Sequence, residues 1–317
     1  MLFRSVDGGA VYVADGTFTA TSSSFTTNTA TGDGGAIYVL DGTVTLTGAS
    51  GFDFDTNTAT GDGGAVFVMG GDVTVSAYTF VRNSAENGGA VYVGGGTFTA
   101  DSGTVFNANT ATGDGGAIYA GGSGDVLLDG TYLYANIAVN GGALYVDNTA
   151  TVAVNKTAVY FNRASGEGTA FYVNAGRLDV TNSTVADNGK DTLSGTGDAG
   201  YSIYATDAAS LYLVDSTIAD NTEGVYLEGN TGTKVLLNSI LLNVGTLNLT
   251  GSFSNESLTS YQYNYIGDTD TERTEVFGTN VLIIDSANDK YGTISLLAED
   301  ANPAYLGGVL VALDGTK

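Results

Sequence analysis

Gly34-Gly35-Ala36-Ile37-Tyr38-Val39 is one copy of a stretch that returns along the chain. The other copies open as Gly8-Gly9-Ala10-Val11, Gly63-Gly64-Ala65-Val66, Gly88-Gly89-Ala90-Val91, Gly115-Gly116-Ala117-Ile118 and Gly141-Gly142-Ala143-Leu144. The alanines at 10, 36, 65, 90, 117 and 143 are 26, 29, 25, 27 and 26 residues apart. A near-fixed period in this range is the mark of a solenoid, in which each repeat buries its apolar face only by stacking on its neighbours.

One repeat reads as three strands. Ala36-Ile37-Tyr38-Val39 is the first, and Thr43-Val44-Thr45-Leu46-Thr47 the second, after the turn Asp41-Gly42. The third ends at Phe54-Asp55-Thr56-Asn57, and Thr58-Ala59-Thr60-Gly61-Asp62 reads as a loop. Apolar and polar residues alternate at period two, as in half-buried strands. The 47 glycines and abundant threonine argue against helix. Three strands in about 26 residues predict an all-β, right-handed parallel β-helix of nine to ten coils, stacked about 4.8 Å apart. The repeat domain is expected over 1–243, and a β-rich terminal cap or module over 244–317. Met1 to Asp7 run directly into a Gly-Gly-Ala strand, the pattern expected of a segment of a longer repeat array.

Aligned coils give columns. Val11, Ile37, Val66, Val91, Ile118 and Leu144 should point inward, with Phe25, Phe54, Phe80 and Phe106 from strand three. Three residues after each phenylalanine or its substitute stands an asparagine: Asn28, Asn57, Asn83, Asn109, Asn136 and Asn162. Stacked amides inside a turn bond backbone and each other, so this column is expected to be an internal ladder.

Three outer features are candidate sites. Tyr38, Phe67, Tyr92, Tyr119 and Tyr145 alternate with the inward residues of strand one and should form an aromatic strip outside the first sheet. Such a strip suits a host or neighbouring-cell surface protein or a glycan, while rings stacked along the sheet would also stabilise it. Asp33, Asp62 and Asp114 each precede Gly-Gly and are low-ranked calcium candidates, since stacked carboxylates repel unless a cation or backbone donors intervene. The competing reading is an aspartate that bonds its own turn. No other cofactor is indicated. Thr17, Thr19, Thr21, Thr43, Thr45, Thr47, Thr74, Thr97 and Thr99 form an array of the kind found on ice-binding β-solenoids, which fades at Leu127, Val152 and Asp179.

Composition narrows the classes. The formal charge of −24 disfavours nucleic acid and anionic membranes. There is no histidine and no cysteine, which removes histidine mechanisms, disulfides and thiolate sites. No charged-then-apolar leader and no membrane-spanning apolar run is seen, and the oligomeric state is not encoded legibly.

The paired motifs Gly-Gly-Ala-Ile (Gly34 to Ile37, Gly115 to Ile118) and Phe-x-x-Asn (Phe25 to Asn28, Phe54 to Asn57, Phe80 to Asn83, Phe106 to Asn109) resemble those of chlamydial polymorphic outer-membrane proteins. That resemblance, over roughly 3–170, implies an autotransporter adhesin passenger on the bacterial surface or outside the cell, without catalysis. The alternative is a polysaccharide-processing β-helix lyase or hydrolase, which would need converging carboxylates with a basic residue. The third reading is an ice-binding β-solenoid.

Overall fold

The computed structural model describes residues 5–48, 51, 53–190, 200–229, 231–237, 239–242, 249–251, 258–262, 264–267, 281–285 and 293–296. The chain winds as a parallel β-helix. Equivalent strands of successive coils pair in register, Val11 with Ile37, Ile37 with Val66, and Val66 with Val91. Two sheets have ten strands and a third has twelve.

A fourth, six-stranded sheet of short rungs adds to the three sheets of the coil. Thr58–Ala59, expected in a loop, is a two-residue rung that pairs with Thr29–Ala30. Its alanine faces inward and is buried, as are Ala30, Ala85, Ala111, Ala138 and Ala164. Every rung of this sheet carries alanine at that place. A strand of two residues is too short to show alternation, which is why its sequence reads as loop.

The Gly-Gly pair closes the coil. Gly34 has φ +63, and a Cβ there would meet the Ile37 carbonyl oxygen at 2.4 Å. Gly35 sits so close to the next coil that a Cβ would meet the Gly64 carbonyl oxygen at 2.0 Å. The first glycine supplies a left-handed turn and the second a close backbone approach.

The core is one continuous column of side chains down the coil axis. Phe25, Phe54, Phe80 and Phe106 stack 4.6–4.8 Å apart inside the third sheet. Fully burying one such ring stabilises by about 1.5–3 kcal/mol. Leu133, Val159, Val185 and Ile218 take over this position in later coils, all fully buried. Inside the second sheet the register runs through Phe18, Val44, Val73, Phe98, Val126, Val152, Leu178 and Leu211 to a charged residue, Lys234. Lys234 is 1% exposed, and its ammonium donates to the carbonyls of Thr206, Asp207 and Ala209 at 2.6–3.2 Å. Burial pushes its pKa down, while Asp207 and Glu228 oppose that shift.

Parallel pairing does not stop at Asn243. Leu249–Gly251, Leu258–Gln262 and Asn264–Gly267 each continue a sheet. Val281–Asp285 then pairs in parallel with Asn264–Gly267 and antiparallel with Thr293–Leu296. Most of the module expected over 244–317 lies outside the described residues.

Candidate functional site

Three polar ladders and two aromatic groups occupy the turns and outer faces. The asparagine ladder lies inside. Asn57, Asn83, Asn109, Asn136 and Asn162 are fully buried, while Asn28 at the first coil is partly covered. Asn57 donates its backbone N–H and its Nδ2 to Asn83 Oδ1, both at 2.9 Å. Its second amide hydrogen goes to the Phe25 carbonyl at 2.8 Å. The arrangement repeats at Asn83, Asn109, Asn136, Asn162 and Asn188, so each amide meets its full complement of partners. The residue before each asparagine is left-handed, as at Thr56 (φ 57), Arg82 (φ 54) and Ala108 (φ 55). That conformation turns the corner and aims the amide inward.

The acidic column is a second ladder. Asp33 N–H donates to Asp7 Oδ1 at 3.0 Å, and Asp62 N–H to Asp33 Oδ1 at 2.8 Å. Asn87, Asp114, Asn140 and Glu167 carry it on, each N–H donating to the side-chain oxygen one coil before. The expected bond from each aspartate to its own turn is replaced by a bond to the next coil. Backbone donors therefore stand between carboxylates where a calcium ion was considered. Among the described residues no group of three or more metal-ligating side chains comes together. Burial, partly opposed by bonds from Asn87, raises the pKa of Asp62, with Asp33 and Glu86 adding to the rise.

A third ladder has little sequence signature. Thr157 N–H donates to Ser183 Oγ at 3.1 Å, Ser183 N–H to Ser216 Oγ at 3.2 Å, and Ser216 N–H to Ser239 Oγ at 3.3 Å. These buried hydroxyls fill the corner between the second and third sheets. Their signal is the polar pair that ends strand two, Asn182-Ser183 and Asp215-Ser216, with the first residue left-handed.

The aromatic strip stands outside the first sheet, but it is not an open surface. Tyr12, Tyr38, Phe67, Tyr92, Tyr119, Tyr145, Tyr172, Tyr204 and Tyr226 form one continuous stack. Neighbouring centroids lie 4.8–5.1 Å apart with planes within 12°. Tyr38, Phe67 and Tyr145 are only 7%, 5% and 8% exposed, against 51% for Tyr12 at the end. Each ring covers the face of the next, so the flat face expected to meet a ligand is consumed inside the column. What remains outward is edges and hydroxyls. Tyr119 donates to Asp147 Oδ2 at 3.1 Å. Burial first, and nearby carboxylates second, raise the phenol pKa values of Tyr92, Tyr119 and Tyr145, and push Tyr204 up to about 12.

On the second sheet the threonines line up as expected, Thr17 with Thr43, Thr19 with Thr45, Thr45 with Thr74, and Thr74 with Thr99. The array meets Leu127, then Ala153 and Asp179. Val152 belongs to the inward column of strand two and is fully buried, so it does not interrupt the outer array.

A second aromatic group was not singled out from sequence. Tyr132, Tyr134 and Tyr160 face outward on the third sheet, and Phe161 follows in the adjoining turn. Its signal is Tyr132-Leu133-Tyr134, where earlier coils carry Asp53-Phe54-Asp55 and Val105-Phe106-Asn107.

A family model described as right handed beta helix region matches residues 99–271, more than half of the chain. The chain therefore belongs to the right-handed β-helix family. A second model, the Chlamydia polymorphic membrane protein repeat, matches residues 22–40, the segment that joins Phe25–Asn28 to Gly34–Ile37. The chain is thus a β-helix repeat protein similar to those chlamydial proteins. No curated protein and no solved structure matches it. No helix among the described residues is long and apolar enough to cross a membrane.

Proposed function

We propose that this chain is a non-enzymatic adhesion or display segment, carried on a bacterial outer membrane or cell surface. The observation behind this reading is the repeat match over residues 22–40, which spans one phenylalanine-asparagine corner and one Gly-Gly-Ala corner. The chemistry of the coil supports it. The stacked carboxylates bind backbone N–H groups of the adjacent coil, and Arg82, Lys156, Arg177 and Lys190 each pair with a single aspartate. The stacked carboxylates and the pairs Arg82–Asp55 and Lys156–Asp129 join neighbouring coils, while Arg177–Asp179 and Lys190–Asp187 pair within one coil. Partners would be a protein or glycan on a host or neighbouring cell.

The test uses beads coated with the chain and offered to epithelial and to bacterial cells. Saturable attachment that excess soluble chain competes away is the expected result. Beads that attach no better than uncoated ones to either cell type would overturn the reading. Release of reducing ends from polysaccharide by the purified chain would replace it with the enzymatic one.

A further inference from the structure

Four of the nine exposed large apolar side chains among the described residues, Leu127, Tyr132, Ile137 and Val139, lie on the single coil 125–139. Scattered exposed apolar residues are ordinary, but a cluster is informative. Leu127 and Ile137 stand on the second and fourth sheets, so they do not share a face with Tyr132. The compact group on one face is Tyr132, Tyr134, Tyr160 and Phe161.

The geometry of this group is the opposite of the tyrosine column. Tyr134 and Tyr160 are 4.9 Å apart but tilted by 50°. Phe161 stands at 87° to Tyr134 and 70° to Tyr160, at 5.6 and 5.7 Å. In an edge-to-face contact one ring's edge covers the other's face, so fewer faces are hidden than in a parallel stack. Tyr132 is 46% exposed. Phe161 adds no volume to the core, and its left-handed conformation (φ 57) is the one shared by every residue that precedes a ladder asparagine.

We infer that Tyr132, Tyr134, Tyr160 and Phe161 form a binding site for a neutral pyranose oligosaccharide. The inference names the ligand class for the adhesive reading above and rests on it for biological meaning, but not for its test. The C–H face of a sugar ring packs on an aromatic face, and its hydroxyls need polar partners at the rim. The phenol hydroxyls of Tyr132, Tyr134 and Tyr160 supply them. Charge selects a neutral ligand. The net charge of −24 repels acidic chains. The nearby Lys156 pairs with Asp129 at 3.5 Å, which leaves little uncompensated charge at the site. Size selects a sugar over a protein. A cluster of four aromatic side chains is small beside the roughly 800 Å² per partner that a stable protein interface needs.

The test titrates the purified chain with maltotetraose, cellotetraose, an N-acetyllactosamine tetrasaccharide and, as an acidic control, a heparin tetrasaccharide. Heat and tyrosine fluorescence report binding. At least one neutral tetrasaccharide is expected to bind, and heparin is not. Tyr134→Ser with Tyr160→Ser should weaken binding by about tenfold or more, with circular dichroism unchanged. Should that variant fail to fold, Tyr132→Ala at the exposed ring serves instead, with a loss of several-fold. No binding by any neutral sugar, stronger binding of heparin, or unchanged affinity in a folded variant would overturn the inference. Cell attachment by beads that bind no sugar would leave adhesion standing and point to a protein partner. Sugar binding without cell attachment would keep the site and remove adhesion.

Discussion

Coils in the first half of the chain and coils after residue 125 share one backbone but fill it differently. Inside the third sheet the first half stacks Phe25, Phe54, Phe80 and Phe106, while the second half uses Leu133, Val159, Val185 and Ile218. The asparagine ladder crosses that change from Asn28 to Asn221 without a break. Apolar volume is interchangeable, because one buried hydrocarbon of about the right size replaces another at modest cost. A buried amide is not, because each hydrogen bond has a fixed donor, acceptor and direction.

The largest expected effect breaks the ladder. Asn109→Ala removes the acceptor for Asn83 N–H and Asn83 Nδ2, and the donor to the Phe80 carbonyl. Several buried groups lose partners together, at about 3 kcal/mol or more. Phe106→Leu installs the residue that the next coil already carries at Leu133 and should cost about 1–2 kcal/mol. Urea midpoints at constant m measure both. Equal losses would erase the distinction between fungible core and fixed ladder.

The two aromatic groups give the second contrast, a long parallel stack against a short tilted cluster. In the parallel stack, burial raises the phenols of Tyr119 and Tyr145 above their ordinary 10.0. A folded-state pKa above the unfolded one means that the folded chain holds more protons past pH 10. Stability is then fully present below pH 10 and falls as pH rises towards the folded values. Each such tyrosine contributes a slope of at most about 1.4 kcal/mol per pH unit. Tyr145→Phe should remove one share of that slope while leaving the stability at neutral pH nearly unchanged. An alkaline profile identical to that of the parent chain would show the column to be looser than its geometry.

Much of this contrast was legible in the sequence, and the rest was hidden for physical reasons. The Gly-Gly-Ala period and the Phe-x-x-Asn spacing carry the coil and its inner ladder, because both recur at fixed register. Period two carries the outward direction of the tyrosines. It cannot say that rings 5 Å apart will bury one another, since that depends on all of them adopting the same side-chain torsions. The fourth sheet was missed because two residues cannot display a period. The hydroxyl ladder was missed because serine and threonine are common on exposed strands as well. Tyr132, Tyr134, Tyr160 and Phe161 form no column, because the group is a local departure from the repeat.

A smaller effect sharpens the comparison within the acidic ladder. Asp62 bonds one coil forward to Asn87 but faces Asp33 behind it. Later positions alternate acid with amide, and there the amide Nδ2 donates to the preceding carboxylate, as Asn140 does to Asp114 at 3.0 Å. Asp62→Asn would copy that arrangement towards Asp33. The raised pKa of Asp62 means that its ionised form is disfavoured in the folded chain. Native stability therefore falls as pH rises through the window from its ordinary 3.8 upward. The substitution should stabilise by about 0.5–1 kcal/mol at neutral pH, the scale of one partly exposed hydrogen bond. The gain should shrink as pH falls and Asp62 in the parent chain takes up its proton. Melting curves at neutral and acid pH decide it, and a loss of stability at neutral pH would mean that the charge on Asp62 is useful as it stands.

The smallest effect tests the left-handed corner that aims each ladder amide. Ala108 holds φ 55 immediately before Asn109. Left-handed backbone costs an alanine about 1–2 kcal/mol, and glycine would relieve it. Glycine also enlarges the freedom of the unfolded chain, a penalty of about 0.4–1 kcal/mol. Ala108→Gly should therefore leave stability within about 0.5–1 kcal/mol of the parent, with the sign on the stabilising side. Ala100→Gly makes the same chemical change at a fully buried strand position. There nothing is relieved, and strand entropy and a buried methyl are both lost, about 1–2 kcal/mol. The two variants should separate clearly in thermal unfolding. If both lose equally, the corner is no more strained than the strand. The asparagine ladder would then have to hold its turn without a conformational cost for the residue before it.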